Sequence, residues 1–188
     1  MAKPTPPTAR LLSAGLLVAA AIALGCLASG AGATVVTTCR AAADSDARVD
    51  YGFCVAELGI HRESPDADTW GLAKVAALTG VNNADDAVYD AKELLAKRGA
   101  AGGPARAALE RCAKLYDSMG FAFAEAEDEI NNRRYAAGKE KAAEAASLAH
   151  QCDDALAKAG AVPSPLAKHS SYSVKIATIC TAITNLIK

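Results

Sequence analysis

The sequence has little of what catalysis and cofactor binding usually need. It holds three histidines, one tryptophan and two methionines in 188 residues, and aromatic residues make up 5%. No Cys-x-x-Cys pair occurs, so the clustered thiolates of a structural zinc site are missing. The residues three before His61, His150 and His169 are Leu58, Ser147 and Leu166, so the Glu-x-x-His pairs of a di-iron bundle are missing too. Gly99, Gly102 and Gly103 follow a helical pattern rather than a strand, and read as a linker instead of a phosphate loop. There is no excess of positive charge, with 20 Lys and Arg against 21 Asp and Glu, and nucleic acid is not an expected partner. No asparagine opens an Asn-x-Ser/Thr sequon, and no segment alternates with the period of two that a strand requires.

One long apolar run is present. Lys3 and Arg10 precede Leu11–Leu27, and Ala28-Ser29-Gly30 leads to the Ala-x-Ala site Ala31-Gly32-Ala33. This pattern predicts a secretory signal peptide over residues 1–33, in preference to a retained anchor, since its core is at the short end for a membrane span. Removal of Lys3 and Arg10 leaves 18 basic against 21 acidic residues, a net charge of about −3 over residues 34–188. Cys26 would leave with the signal, and the five remaining cysteines, at 39, 54, 112, 152 and 180, would meet an oxidising compartment. An odd number leaves one thiol over.

The remaining chain reads as helices. Cys39 and Cys54 flank Asp44-Ser45-Asp46, residues that favour caps and turns over helix interiors. Short helices over about 35–43 and 49–59 would bring these two cysteines together as a hairpin in the 34–65 segment. From Asp66 to Lys97, Trp70, Ala73, Ala77, Ala84, Val88, Ala91 and Leu95 recur at helical spacing, with Ser64 or Asp66 as cap. Gly80 and Asn82-Asn83 predict a kink or break at its middle. After Pro104 the stripe Ala105, Ala108, Cys112, Leu115, Met119, Ala122, Ala126 and Ile130 alternates steps of three and four. Its last turns carry Glu125, Glu127, Asp128 and Glu129, unfavourable for the helix dipole and read as a solvated face, with a contact surface for a partner as the alternative.

A third pattern runs from Tyr135 through Ala142, Ala146, Ala149, Cys152 and Leu156 to about Ala159. Cys112 lies 20 residues before position 132 and Cys152 lies 20 after it, so in antiparallel helices the two thiols come level. Ser164 as cap and Pro165 as first residue would start the last helix, with a seam of His169, Tyr172, Ile176, Ile179, Ile183 and Leu186. The expected fold is therefore all-α, an up-and-down four-helix bundle over 66–188 preceded by a stapled N-terminal helical hairpin over 34–65. Cys180 sits near an apolar seam and reads as an inert core thiol; His150 beside Cys152 reads as a surface histidine. No catalytic constellation, metal site or cofactor is expected, which points to a binding protein.

The residues also resemble a known family. Thr38-Cys39, then Val49-Asp-Tyr51-Gly-Phe53-Cys54-Val55-Ala-Glu-Leu58, is similar to the opening of the plant invertase and pectin methylesterase inhibitor family. So are Gly71-Leu72-Ala73, Leu109-Glu-Arg-Cys112-Ala-Lys-Leu115-Tyr116, Cys152 and Ser164-Pro165-Leu166, and the similarity spans the whole of 34–188. The resemblance implies disulfides Cys39–Cys54 and Cys112–Cys152, with Cys180 free. It implies a secreted, non-catalytic monomer that binds a plant carbohydrate enzyme one to one. That enzyme would be a pectin methylesterase in the cell wall, or an acid invertase in wall or vacuole.

Invertase inhibitors of this kind can carry Pro-Lys-Phe in the link between the stapled helices. Here that link reads Arg133-Arg134-Tyr135, a cation and a ring without the proline, which favours pectin methylesterase as target. The same three residues are candidate target contacts, since Arg offers a fork to carboxylates and Tyr an amphipathic anchor. A storage or surface protein without an enzyme target is the alternative from another class.

Overall fold

The computed structural model describes residues 1–2, 31–97 and 103–188. The signal-peptide segment up to residue 30, Cys26 and most of the Arg98–Gly103 link lie outside these. The elements are α1 (Ala31–Ser45), α2 (Tyr51–Gly59), a 3-10 turn (Ser64–Asp66), α3 (Thr69–Lys97), α4 (Pro104–Asn131), α5 (Tyr135–Lys158) and α6 (Ala167–Leu186). All the regular structure among the described residues is helical. Helix α3 packs on α4 and α6, and α5 packs on α4 and α6, so α3–α6 close an up-and-down four-helix bundle with α1–α2 set against it.

The seams of the bundle are built from small residues. Ala73, Ala76, Ala77, Ala84, Ala87 and Ala91 of α3 are fully buried, as are Ala142, Ala145 and Ala149 of α5. Larger side chains fill the centre, among them Tyr116, Met119, Phe123, Ile130, Leu156, Ile176, Ile179 and Ile183. Tyr116 and Phe123 lie one residue off the α4 stripe read from sequence, while Leu115 is only partly buried. Two glycines leave no room for a side chain. A Cβ on Gly80 would lie 2.6 Å from ring atoms of Phe123, and one on Gly138 would lie 2.7 Å from Ile130 Cγ1.

Gly80 also explains a departure from the sequence reading. Helix α3 is unbroken through Gly80, Asn82 and Asn83. The Phe123 ring occupies the space a side chain would take at Gly80. The Asn83 amide donates to Ser173 Oγ at 2.7 Å and to the His169 carbonyl at 3.2 Å. Tertiary contacts thus override the weak helix propensity of both residues. The amide's oxygen is then left facing His169 Nδ1 at 3.0 Å, while His169 Nε2 lies 2.9 Å from Asp90.

A second polar tie crosses the core beside it. Ser170 Oγ donates to Asp153 at 2.8 Å, so in its 2.8 Å contact with Tyr116 the tyrosine hydroxyl is the donor. Burial pushes the Tyr116 hydroxyl up to about 12, which keeps it protonated for that role. No buried side-chain nitrogen or oxygen among the described residues lacks a partner.

Two helix starts differ from the sequence reading. The α3 cap is Asp68, whose Oδ1 accepts from Gly71 N at 2.8 Å, while the Ser64 hydroxyl turns inward to Leu58 O at 2.5 Å. Pro165 lies in a turn, and α6 begins two residues later at Ala167, whose N–H reaches the Ser164 carbonyl at 3.2 Å. The acidic end of α4 is not simply solvated. Glu125 pairs with Lys141 at 2.7 Å, Glu127 lies 3.8 Å from Lys74, and Glu129 pairs with Arg134.

Two disulfides close the two hairpins: Cys39–Cys54 with Cα atoms 5.8 Å apart, and Cys112–Cys152 with Cα atoms 4.9 Å apart. Cys180 is a free buried thiol that donates to Ala73 O at 3.6 Å, and burial pushes it up to about 12. The short hairpin is fastened chiefly to α6. Lys175 Nζ donates to Asp50 at 2.9 Å, the Phe53 and Tyr172 rings meet edge to face at 4.9 Å, and the Tyr172 hydroxyl donates to Glu57 at 2.5 Å.

Two stability measurements follow. Gly80→Ala should lower stability by about 1–2 kcal/mol in urea, as overpacking against Phe123 outweighs the gain in helix propensity. The loss should shrink on a Phe123→Leu background; equal losses on both backgrounds would contradict the packing account. Removing the long-hairpin bridge with Cys112→Ser and Cys152→Ser should cost about 3–4 kcal/mol, since it spans a loop of about 40 residues. Cys180→Ser should cost less, and equal melting temperatures for the two variants would contradict that ranking.

Candidate functional site

The tip of the stapled hairpin α4–α5 is where the sequence placed its candidate contacts. Helix α4 ends with Asn132 as C-cap, and Arg133 follows in the left-handed conformation at φ 62°. Arg133 N donates to Ile130 O at 3.0 Å and Arg134 N donates to Glu129 O at 2.8 Å. These two bonds are the paired closure of a Schellman motif, whose left-handed position is usually glycine.

Arg133, Arg134 and Tyr135 are brought together here, but in different states. Arg134 is committed: its Nε and Nη2 both donate to the Glu129 carboxylate, the second at 2.9 Å. That pair raises the guanidinium's pKa and lowers the carboxyl's. Arg133 is exposed and has no carboxylate partner among the described residues; its Nη1 donates to the Tyr135 hydroxyl at 3.1 Å. Tyr135 is half-buried, with its ring against the core.

The sequence reading missed the residue that orders this tip. Trp70, one residue into α3, donates from Nε1 to Ile130 O at 3.0 Å, the same carbonyl that accepts from Arg133 N. Its ring carries two cations: Lys74 Nζ lies 4.1 Å from the centroid and the Arg133 guanidinium carbon 4.3 Å. Lys74 also donates to Asn131 Oδ1 at 3.1 Å. The sequence signal was a lone tryptophan with a lysine four residues on, at adjacent positions of one helix face. Its partners on the hairpin are some sixty residues away and carry no local mark.

Glu127 lies beneath this cluster. Burial raises its pKa; the charge of Lys74 opposes that, and Asp128 and Glu63 add to it. The tip is thus a rigid, mixed-charge surface with one uncommitted guanidinium.

A cleft of about 620 Å³ between the end of α2, α3 and α6 is also lined by charged groups, among them His61, Arg62, Glu63 and Asp86. Its hydroxyls are committed, Thr79 to Val75 O at 2.8 Å and Tyr172 to Glu57 at 2.5 Å. Among the described residues no group of three or more His, Cys, Asp or Glu could hold a metal ion, and no helix is long and apolar enough to cross a membrane.

Comparison with known proteins places this geometry in a context. Residues 33–183 match the family model described as plant invertase/pectin methylesterase inhibitor. A rice protein named pectinesterase inhibitor 8 (Oryza sativa subsp. japonica) is 64% identical over 86% of this chain and 87% of its own length. A second from the same source, pectinesterase inhibitor 12, is 48% identical over 91% of this chain and 82% of its own. A crystal structure of a mutant form of a pectin methylesterase inhibitor from Arabidopsis superposes with a TM-score of 0.65 at 18% identity. It covers 80% of this chain and 97% of that one, and shares the fold.

The Glu127 environment predicts a pH effect. A carboxyl whose folded pKa is raised is favoured in its protonated form, so ionised Glu127 lowers stability at neutral pH and releases that penalty as pH falls. Glu127→Gln should melt above the wild type at pH 7, with the difference vanishing below about pH 4. A lower melting temperature for the variant at pH 7 would mean that the attraction to Lys74 outweighs burial.

Proposed function

The chain belongs to the plant invertase/pectin methylesterase inhibitor family, and on that premise we propose that it is a non-catalytic inhibitor of plant pectin methylesterase. The observation that carries the choice of target is the 64% identity, over 86% of the chain, to a rice protein named for pectinesterase inhibition. In this reading the protein forms a one-to-one complex that covers the enzyme's carbohydrate cleft. Arg133, Arg134 and Tyr135 at the hairpin tip lie within the contact surface. Residues 1–33 direct secretion and are removed, residues 34–65 brace the bundle of 66–188, and the mature monomer acts in the cell wall.

Physical support comes from the rigidity of the surface. A protein that inhibits by covering a cleft gains affinity when its contact groups are ordered before binding. Two disulfides and the Trp70 cluster supply that order. Acid invertase, in wall or vacuole, is the second reading, favoured by the cation and ring that the tip retains at Arg133–Tyr135.

Titration of purified mature protein into a plant pectin methylesterase and an acid invertase at mildly acidic pH tests both. The expected result is loss of esterase activity that reaches its plateau at one equivalent, with invertase unaffected. Loss of invertase activity alone would overturn the leading reading. Loss of neither, with no enzyme captured from a wall extract, would favour a structural or storage role.

A further inference from the structure

Helix α4 ends in a backbone conformation that suits glycine, yet the residue there is Arg133, at φ 62°. A side chain in this region carries an energetic cost, so some contact must offset it. The contacts present are the cation–π contact with Trp70, the guanidinium carbon 4.3 Å from the ring centroid, and the bond to the Tyr135 hydroxyl at 3.1 Å. Neither neutralises its charge, and the guanidinium has donors left over. Every other cation of the tip is spoken for: Arg134 by Glu129, Lys74 by Asn131 and Glu127. We infer that Arg133 is the tip's carboxylate-recognising contact and that Trp70 is its positioning residue, presenting the guanidinium fork to a carboxylate on the target enzyme. This rests on the inhibitor reading above and sharpens it, since it separates Arg133 from Arg134 and adds Trp70.

With its carbon over the indole and Nη1 on the Tyr135 hydroxyl, the guanidinium keeps Nε and Nη2 for bidentate bonding, so its fork is set before the partner arrives. A protein carboxylate suits it better than the uronate chain of pectin. Because Glu125, Glu127 and Glu129 already take up Lys141, Lys74 and Arg134, a polyanion would need a row of unpaired cations that the tip does not offer. A single carboxylate aimed at the fork would not.

The backbone provides a separation of function. Arg133→Gly relieves the left-handed strain, so it should leave the melting temperature equal to or above the wild type. It should also weaken binding to pectin methylesterase at least about tenfold. Arg134→Gln should change the dissociation constant by no more than about twofold. Trp70→Phe should weaken binding in the wild type but have no further effect on an Arg133→Gly background, because it acts through Arg133.

Wild-type inhibition with undiminished affinity of Arg133→Gly would overturn this inference alone. So would an additive loss from Trp70→Phe on both backgrounds, or direct binding of short oligogalacturonate by the inhibitor that Arg133→Gly abolishes. Failure of the wild type to inhibit the esterase would overturn the inhibitor reading and this inference with it.

Discussion

The constraint on which the rest depends is the small size of the residues between the helices. Alanine and glycine let backbones come close, but each buries little apolar area, and hydrophobic stabilisation scales with that area. A bundle whose α3 and α5 seams are largely alanine therefore needs further ties. The disulfide Cys112–Cys152 restricts the unfolded chain, and the polar bonds Asn83–Ser173 and Tyr116–Ser170–Asp153 fix how α3, α4 and α5 sit against α6. The polar ties specify register more than they add stability, since each net hydrogen bond contributes about 1 kcal/mol.

The N-terminal hairpin obeys the same rule in miniature. Helix α2 has nine residues, too short to persist alone in water. Its bridge to α1 and its three contacts with α6 through Asp50, Phe53 and Glu57 provide what length does not. Two of those contacts converge on one residue, Tyr172, whose ring meets Phe53 and whose hydroxyl meets Glu57. Both helices of the hairpin also meet α3, so it docks across the α3 and α6 side of the bundle.

What the sequence revealed and what it hid divide along the same physical line. Helix identity, bundle topology and the level placing of Cys112 and Cys152 follow from periodicity and spacing, which are local or nearly so. The continuity of α3 was not legible, because Gly80 is held by Phe123 and Asn83 by Ser173, partners on other helices. The start of α6 was misplaced because Ser164 and Pro165 carry the marks of a helix start and are used in a preceding turn. At the tip, Arg133, Arg134 and Tyr135 could be singled out, but their states could not. Only the fold shows that Arg134 is neutralised by Glu129 and that Trp70 lies beneath Arg133.

That difference of state bears on how a stable bundle carries a binding surface. At the tip most charges are paired with a neighbour, Lys74 with Glu127 and Arg134 with Glu129, which leaves little to offer a partner. A group that remains both ordered and uncommitted needs a support that does not neutralise it. An aromatic ring provides this, because it attracts a cation through its quadrupole while taking up none of the hydrogen-bond donors at the guanidinium's edge. Trp70 is fixed in turn by its bond to Ile130 O, the carbonyl that closes α4. The helix end, the ring and the guanidinium are thus one mechanical unit. The disulfide ties α4 to α5 at the far end of the hairpin, and at the tip, which the turn itself closes, the bond from Trp70 to Ile130 O ties α4 to α3.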